Sequence, residues 1–478
     1  MQSAISFVLD GKLVSVDFAN GSVKPTTTVL NYLRSLAEHQ GVKEGCAEGD
    51  CGACTVVLGE LAPDGRLRYK AVDSCLVFLP MIHGKQLITV ENVGSTSSGL
   101  HPVQQSMVES SGSQCGFCTP GIVMSLFSLY KNADQPSRTE IEDALAGNLC
   151  RCTGYKPIIE AAAKSCVRAG IDHFTVDDAR IARLLASIPN DGIQIRTSAQ
   201  HYYRPANLKE VLQLRRQLPN ANVICGATDV ALRVTKNHEV IPTIIDLSGV
   251  VDLQQVDDDA FSLRIGSGVV LNDIVPRVEE LFPALHDMLS LFGSRQIRNM
   301  ATLGGNLGTA SPIGDLLPVL MAYEARVRLE STGGKREIGI EEFIKGYRKT
   351  DCRAGELITS VVLPKPTNGA IIKSYKVSKR RELDISTVSG GFRLELNRGS
   401  VVSRIKLAYG GMADHTKRAK NVESFLGGKQ WIRETVEAAM EFIDKDFAPI
   451  TDVRGSAELR RILARNLLLK FWFETSTT

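Results

Sequence analysis

No window of this sequence approaches the ~18 consecutive apolar residues of a membrane-spanning helix. The N-terminus, MQSAISFVLDGKLVSV, lacks the basic region and unbroken apolar stretch of a secretory leader, so a cytoplasmic protein with no membrane partner is expected. Charge of one sign is scarce: 56 Lys and Arg stand against 53 Asp and Glu, a net of +3 over 478 residues, which excludes the strong basic field of a nucleic-acid binder. Apolar residues at 43% and charged residues at 23% are ordinary for a soluble globular protein. The length suits about three or four domains rather than a single core.

Cysteine, by contrast, is plentiful. Eleven would suit a disulfide scaffold in a small secreted chain, but in a long chain without a leader they point to metal or redox use. Eight fall in the first third, whereas Cys166, Cys225 and Cys352 stand alone and read as ordinary buried thiols.

Residues 4–18 alternate about Asp10-Gly11, the pattern of two strands joined by a tight hairpin. A helix is expected over about 26–39, then a glycine-rich loop at 45–54 and strands near 55–58, 66–72 and 86–90. After the Ser/Gly stretch 94–99 the period turns helical. Four helices are expected: one from Pro102, one opened by Thr119 and Pro120, one opened by a Thr139/Glu142 capping box and closed by Gly147, and one from Pro157 to about Ala169. Residues 171–200 are mixed and polar and read as a linker. From 201 strands and helices alternate around glycine-rich turns at 223–230 and 301–315, and the tail from 371 begins with strands and ends with helices near 431–443 and 457–473.

Cys46, Cys51 and Cys54, followed by Cys75, give C-x4-C-x2-C...C, the spacing of plant-type 2Fe-2S ferredoxins. Three thiolates on one tight loop can surround a small cluster only if the backbone bends sharply, and Gly45, Gly49 and Gly52 supply that freedom. Exposed amides on such a loop can donate to the sulfurs. Four thiolates also suit zinc, although zinc sites usually pair two short knuckles and Cys75 stands alone. Cys115 and Cys118 in QCGFCTPG, with Cys150 and Cys152 in GNLCRCTGY, make C-x2-C...C-x-C. That spacing alone leaves a cluster, zinc and a redox dithiol all open.

The plant-type set, followed about forty residues later by CGFCTPG and CRCTGY, resembles the iron-sulfur part of the molybdenum hydroxylases, the family of xanthine dehydrogenases and aldehyde oxidases. The resemblance implies that Cys46, Cys51, Cys54 and Cys75 hold one 2Fe-2S cluster and Cys115, Cys118, Cys150 and Cys152 a second, the latter nearer the molybdenum cofactor. It continues through GYRKT, SYKVSKRRE, AYGGMADHT and RGSAELRR into the family's FAD region. On the residues alone the flavin signal is weak, because VICGATDV and ATLGGNLGTASPIGD are glycine-rich turns and neither is a G-x-G-x-x-G fingerprint. By resemblance the FAD contacts fall on Val223, Ile224, Cys225, Gly226, Ala227, Thr228, Asp229, Val230, Phe292, Thr302, Leu303, Gly304, Gly305, Asn306, Asp315, Ile358 and Lys376, with Phe292 against the isoalloxazine and Lys376 offering a positive charge. Leu383 separates Glu382 from Asp384 where the animal enzymes tend to carry consecutive acids.

The implied fold is a multidomain α+β chain: a β-grasp 2Fe-2S ferredoxin-like domain at 1–92, a four-helix 2Fe-2S domain at 93–170, the linker at 171–200, an α/β FAD-binding domain of the vanillyl-alcohol-oxidase-like type at 201–370, and a C-terminal α/β flavoprotein lobe at 371–478. No molybdopterin-binding region follows, so the resemblance implies the small chain of a bacterial two-subunit enzyme. It carries no hydroxylating catalytic residue of its own. Electrons from the molybdenum cofactor of a large partner subunit would pass through two clusters to FAD and then NAD, in oxidation of hypoxanthine and xanthine to urate, within a heterotetramer of two small and two large chains. Rival readings are the equivalent chain of a hydroxylase for aldehydes or other N-heterocycles, a free-standing NADH-dependent iron-sulfur flavoprotein reductase, and a zinc-stabilised scaffold.

Overall fold

Asp10 and Gly11 both take positive φ, 54° and 70°, the turn geometry whose twist matches the strands it joins. Strands β1 (Ala4–Leu9) and β2 (Lys12–Asp17) therefore pair antiparallel, with Leu9 opposite Lys12. The computed structural model describes residues 3–19, 21, 23–94, 99–167 and 172–476. In it the first sheet is completed by β3 (Thr55–Leu61), β4 (Leu67–Asp73) and β5 (Gln86–Ile88), in the order β2-β1-β5-β3-β4 with β1 and β5 parallel. Helix α1 (Val29–Ser35) is capped by the Thr28 hydroxyl and buries Val29, Leu30 and Leu33 in the same core as Phe7, Phe18 and Phe78. It is shorter than the sequence period suggests, because Leu36 turns extended and a 3-10 turn at Ala37–His39 takes over. One mixed sheet with one helix is the β-grasp expected.

Helices α2 (Pro102–Glu109), α3 (Thr119–Asn132), α4 (Arg138–Leu145) and α5 (Lys156–Val167) follow. Helix α3 is buried from Gly121 to Tyr130, and the two serines in that stretch are satisfied, Ser125 donating to Asn148 Oδ1 and Ser128 to the Tyr69 carbonyl. It starts one residue earlier than the Thr119 cap suggested, with Cys118 at the N-cap. The capping box of α4 is also displaced. Ser137 and Glu140 form it, upstream of Thr139 and Glu142; the helix starts at the first box it meets, and Glu142 is left to pair with Arg138 at 2.6 Å.

The expected linker is structured. Helix α6 (His173–Ala186), capped by Asp172, and strand β6 (Ile193–Arg196) occupy it, and Ile181, Leu185 and Ile188 cluster with Val8 of β1. The 170/171 boundary and the Ser/Gly stretch at 95–98 lie outside the described residues. Strands β7 (His201–Arg204), β8 (Asn222–Ile224) and β9 (Thr243–Asp246) join β6 in a sheet ordered β6-β7-β9-β8, parallel from β7 to β8. All of this belongs to one compact unit, Met1–Val211 with Asn220–Val251 and Ser294–Ala301.

The second unit holds Leu212–Pro219, Asp252–Gly293 and Thr302–Thr478. Its strands β10 (Val256–Asp258), β11 (Ser262–Gly266), β12 (Arg326–Ser331), β13 (Gly334–Gly339) and β14 (Leu357–Pro364) form an antiparallel sheet ordered β10-β11-β14-β12-β13. Helix α7 (Leu303–Thr309) carries the second glycine-rich turn. A second antiparallel sheet, β15 (Ile371–Val377), β16 (Val388–Asn397), β17 (Val401–Gly410) and β18 (Lys417–Arg418), packs Phe392 and Tyr409 against Phe471 of the terminal helix α8 (Ala457–Thr475). Among the described residues no helix is long and apolar enough to cross a membrane.

Candidate iron-sulfur and flavin sites

The loop between α1 and β3 folds around its own sulfurs. Ala47, Gly49 and Gly52 take positive φ of 56°, 74° and 66°, which turns the amides of Glu48 and Asp50 toward Cys46 Sγ at 3.4 and 3.3 Å. Gly45 serves differently from the expectation. Its φ is not left-handed; instead a Cβ there would lie 2.7 Å from Cys51 Sγ, so it is room for sulfur rather than backbone freedom that requires glycine.

The four thiols come in two pairs. Cys51 shares a hydrogen bond with Cys46, which with the Glu48 and Asp50 amides brings Cys46 down to about 5 and pushes Cys51 up. Cys54 shares a hydrogen bond with Cys75, and its thiol is pushed up first by that bond and then by burial. In the second set Cys115 lies with Cys152 and Cys118 with Cys150. The Phe117 amide and then Cys152 bring Cys115 down, Cys115 pushes Cys152 up, and burial followed by Cys150 raises Cys118 to about 12. Two thiols per side is what each iron of a 2Fe-2S cluster takes, whereas zinc takes all four about one point. Both donor sets thus fit a 2Fe-2S cluster, which when bound accepts and returns single electrons.

Several residues around these cysteines carried no signal of their own in the sequence. Asp73 is fully buried, its Oδ1 3.8 Å from Cys54 Sγ and its Oδ2 without a partner, and burial followed by the nearby Cys46 pushes its carboxyl up. Tyr155 accepts the Cys150 amide on its hydroxyl at 2.8 Å, and Thr153 Oγ1 stands 3.2 Å from Cys150 Sγ. Tyr155 and Thr153 lie inside the CRCTGY motif, so their place in it was the available clue.

In the first unit, Val223 and Ile224 end β8 and the chain turns through Cys225, Gly226, Ala227, Thr228, Asp229 and Val230. Ala227 takes φ 59°, and a Cβ on Gly226 would lie 1.8 Å from the Met300 carbonyl oxygen, so two backbones touch there. In the second unit, Thr302 caps α7 by accepting the Gly305 amide at 3.1 Å. Gly304 is pressed onto Ser267, where a Cβ would sit 2.4 Å from Ser267 Cβ, while Gly305 faces outward. Asn306 Oδ1 is buried without a partner, an acceptor suited to a hydroxyl or amide donor of a bound cofactor. Ile358 lies against Gly308, with 3.6 Å between Ile358 Cδ1 and a Cβ built there. Lys376 is enclosed rather than solvated: its side chain is 2% exposed, pairs with Asp315 at 2.9 Å and donates to the Leu291 carbonyl at 2.9 Å, beside the half-buried Phe292. Ser386 donates to the other Asp315 oxygen. Open glycine, a capped helix start and an unpaired buried amide oxygen fit a flavin nucleotide, whose ring accepts electrons one or two at a time.

These elements define a class: a two-cluster iron-sulfur flavoprotein. Four family models match in succession, a 2Fe-2S iron-sulfur cluster binding domain over 11–78, a [2Fe-2S] binding domain over 89–163, the FAD binding domain in molybdopterin dehydrogenase over 195–366 and the CO dehydrogenase flavoprotein C-terminal domain over 373–475. The chain is 32% identical to the xanthine dehydrogenase/oxidase of Gallus gallus, over 98% of this chain and 40% of that protein. It is 33% identical to the xanthine dehydrogenase of Emericella nidulans, over 98% of this chain and 38% of that protein. The chain thus spans about two fifths of the length of these relatives. Among solved structures, quinoline 2-oxidoreductase from Pseudomonas putida 86 aligns with TM-score 0.53 and 26% identity over 59% of this chain and 99% of that one. Carbon monoxide dehydrogenase from Hydrogenophaga pseudoflava aligns with TM-score 0.54 and 25% identity over 56% of this chain and 94% of that one. The chain belongs to the molybdenum hydroxylase family, as its iron-sulfur and FAD portion.

Proposed function

We propose that this chain is the electron relay of a xanthine dehydrogenase of the bacterial two-subunit type. Electrons released where a molybdenum cofactor on a large partner subunit oxidises hypoxanthine or xanthine to urate would enter through the cluster of Cys115, Cys118, Cys150 and Cys152. They would continue through the cluster of Cys46, Cys51, Cys54 and Cys75 to FAD, and leave as hydride to NAD. The observation that carries this reading is the paired arrangement of eight thiols in front of a flavin region. Clusters move single electrons and NAD takes a hydride, so a flavin must stand between them. Xanthine dehydrogenases as relatives over nearly the whole chain support purines over the N-heterocycle of the structurally similar quinoline enzyme.

The same reading assigns the FAD contacts to the seventeen residues from Val223 to Lys376 named above, the domains to 1–92, 93–170, 201–370 and 371–478, the location to the cytoplasm, and the assembly to two small and two large chains. Recovery of the native complex with metal analysis tests it. Co-purification of a molybdenum-containing large chain that turns over xanthine, and not aldehydes, with NAD is expected. A molybdenum partner specific for aldehydes would move the substrate to a sibling enzyme, and a monomer that reduces a soluble acceptor at full rate would overturn the relay.

A further inference from the structure

The loops bearing the two thiol sets meet within the first unit, and one side chain governs the meeting. Leu149, which precedes Cys150, donates its amide to the carbonyl of Cys51 at 3.0 Å. The two backbones are in close contact here: a Cβ on Gly52 would lie 2.3 Å from the Gly147 carbonyl oxygen, and one on Gly121 2.0 Å from the Gly52 carbonyl oxygen. Asn148, 2% exposed, uses its whole hydrogen-bonding capacity at this point. Its Nδ2 donates to the Gly52 carbonyl at 3.1 Å and to Thr55 Oγ1 at 3.2 Å, and its Oδ1 accepts from Ser125 Oγ at 2.6 Å and from Gln296 Nε2 at 2.9 Å.

We infer that Asn148 is a positioning residue for electron transfer between the two cluster sites. By clamping Gly52 it holds the Cys51 carbonyl on the Leu149 amide, so that a ligand residue of one set reaches a ligand residue of the other through covalent bonds and one hydrogen bond. Tunnelling decays less steeply along such a path than across a van der Waals gap. One electron leaves the reduced cluster and one arrives at the oxidised one; no covalent bond is made or broken. The inference rests on the reading of the eight cysteines as two clusters.

The test uses the full chain with iron, sulfide and flavin loaded, and the variants Asn148→Leu and Gln296→Leu; Gln296 reaches this point by donating to Asn148 and Ser125 and by packing its Oε1 on Gly147, where a Cβ would lie 2.4 Å from it. Both clusters are photoreduced part-way, and their equilibration is followed by rapid-freeze EPR alongside their midpoint potentials. Asn148→Leu should slow equilibration about tenfold or more, with iron content and both potentials unchanged, and Gln296→Leu should slow it less. If Asn148→Leu loses iron, Gln296→Leu with full iron content must still show slowing. Wild-type transfer in a fully loaded Asn148→Leu, or loss of iron in both variants alike, overturns the inference. Absence of two cluster signals from the wild-type chain would instead sink the two-cluster reading on which it rests.

Discussion

Lys376 and Asp315 form an ion pair almost wholly removed from water, with side chains 2% and 7% exposed. Replacing one partner of such a pair leaves the other charge buried and uncompensated, which costs about 3–5 kcal/mol. Lys376→Met should therefore lower the free energy of unfolding by that amount and the urea midpoint with it, and the purified variant should carry less FAD than wild type. An unchanged midpoint would mean that the pair contributes nothing. At this scale Cys46, Cys51, Cys54 and Cys75 were legible from spacing, whereas the spacing of Cys115, Cys118, Cys150 and Cys152 left zinc and a dithiol open and only the resemblance assigned them. Lys376 was visible only through resemblance, since nothing in SYKVSKRRE distinguishes an enclosed lysine from a solvated one. Asp73, Asn148 and Gln296 were invisible. Their importance comes from burial beside residues distant in the chain, and burial of a polar side chain leaves no periodic mark.

Among the elements, the ferredoxin-like sheet is tied to the segment after α6 through His83. The Ser6 amide donates to His83 Nδ1 at 3.0 Å, which puts the ring proton on Nε2, and Nε2 faces the Pro189 carbonyl at 3.0 Å. Burial, reinforced by Arg204 and only partly opposed by the Pro189 carbonyl, holds the imidazole below its ordinary pKa. The folded chain consequently binds this proton less readily than the unfolded chain. The stability this contributes is complete above the unfolded value of ~6.5 and is lost as pH falls from there through the depressed folded value. Urea midpoints should fall between about pH 7.5 and about pH 5.5, and His83→Gln should flatten that part of the slope. Equal slopes in both proteins would remove His83 from the account. The Asp10-Gly11 hairpin and the opening of α3 at Thr119 and Pro120 were legible because turn and helix-start chemistry are local signals. The α4 start was ambiguous, as Ser137/Glu140 and Thr139/Glu142 both satisfy the same spacing. Helix α6 was hidden because Asp177, Asp178, Arg180 and Arg183 surround its narrow stripe of Phe174, Ile181 and Leu185.

For the molecule as a whole, the order of parts was the most legible feature, and the four family matches follow that order from residue 11 to residue 475. Boundaries were less so. Segment 294–301, inside the match to the FAD-binding family, belongs to the compact unit of the thiol sets: Arg298 and Arg295 bind Asp143, and Asn299 donates to the Ala71 carbonyl at 2.8 Å. Glycine spacing does not encode that exchange, because it is made by polar side chains reaching across the unit. The central claim is that one chain carries two binuclear clusters and one flavin. Its most direct test is metal, sulfide and flavin analysis of the purified chain together with low-temperature EPR after full reduction. About four iron and four sulfide per FAD and two distinct 2Fe-2S signals are expected. Zinc in place of iron, or a single cluster signal at full iron loading, would contradict it.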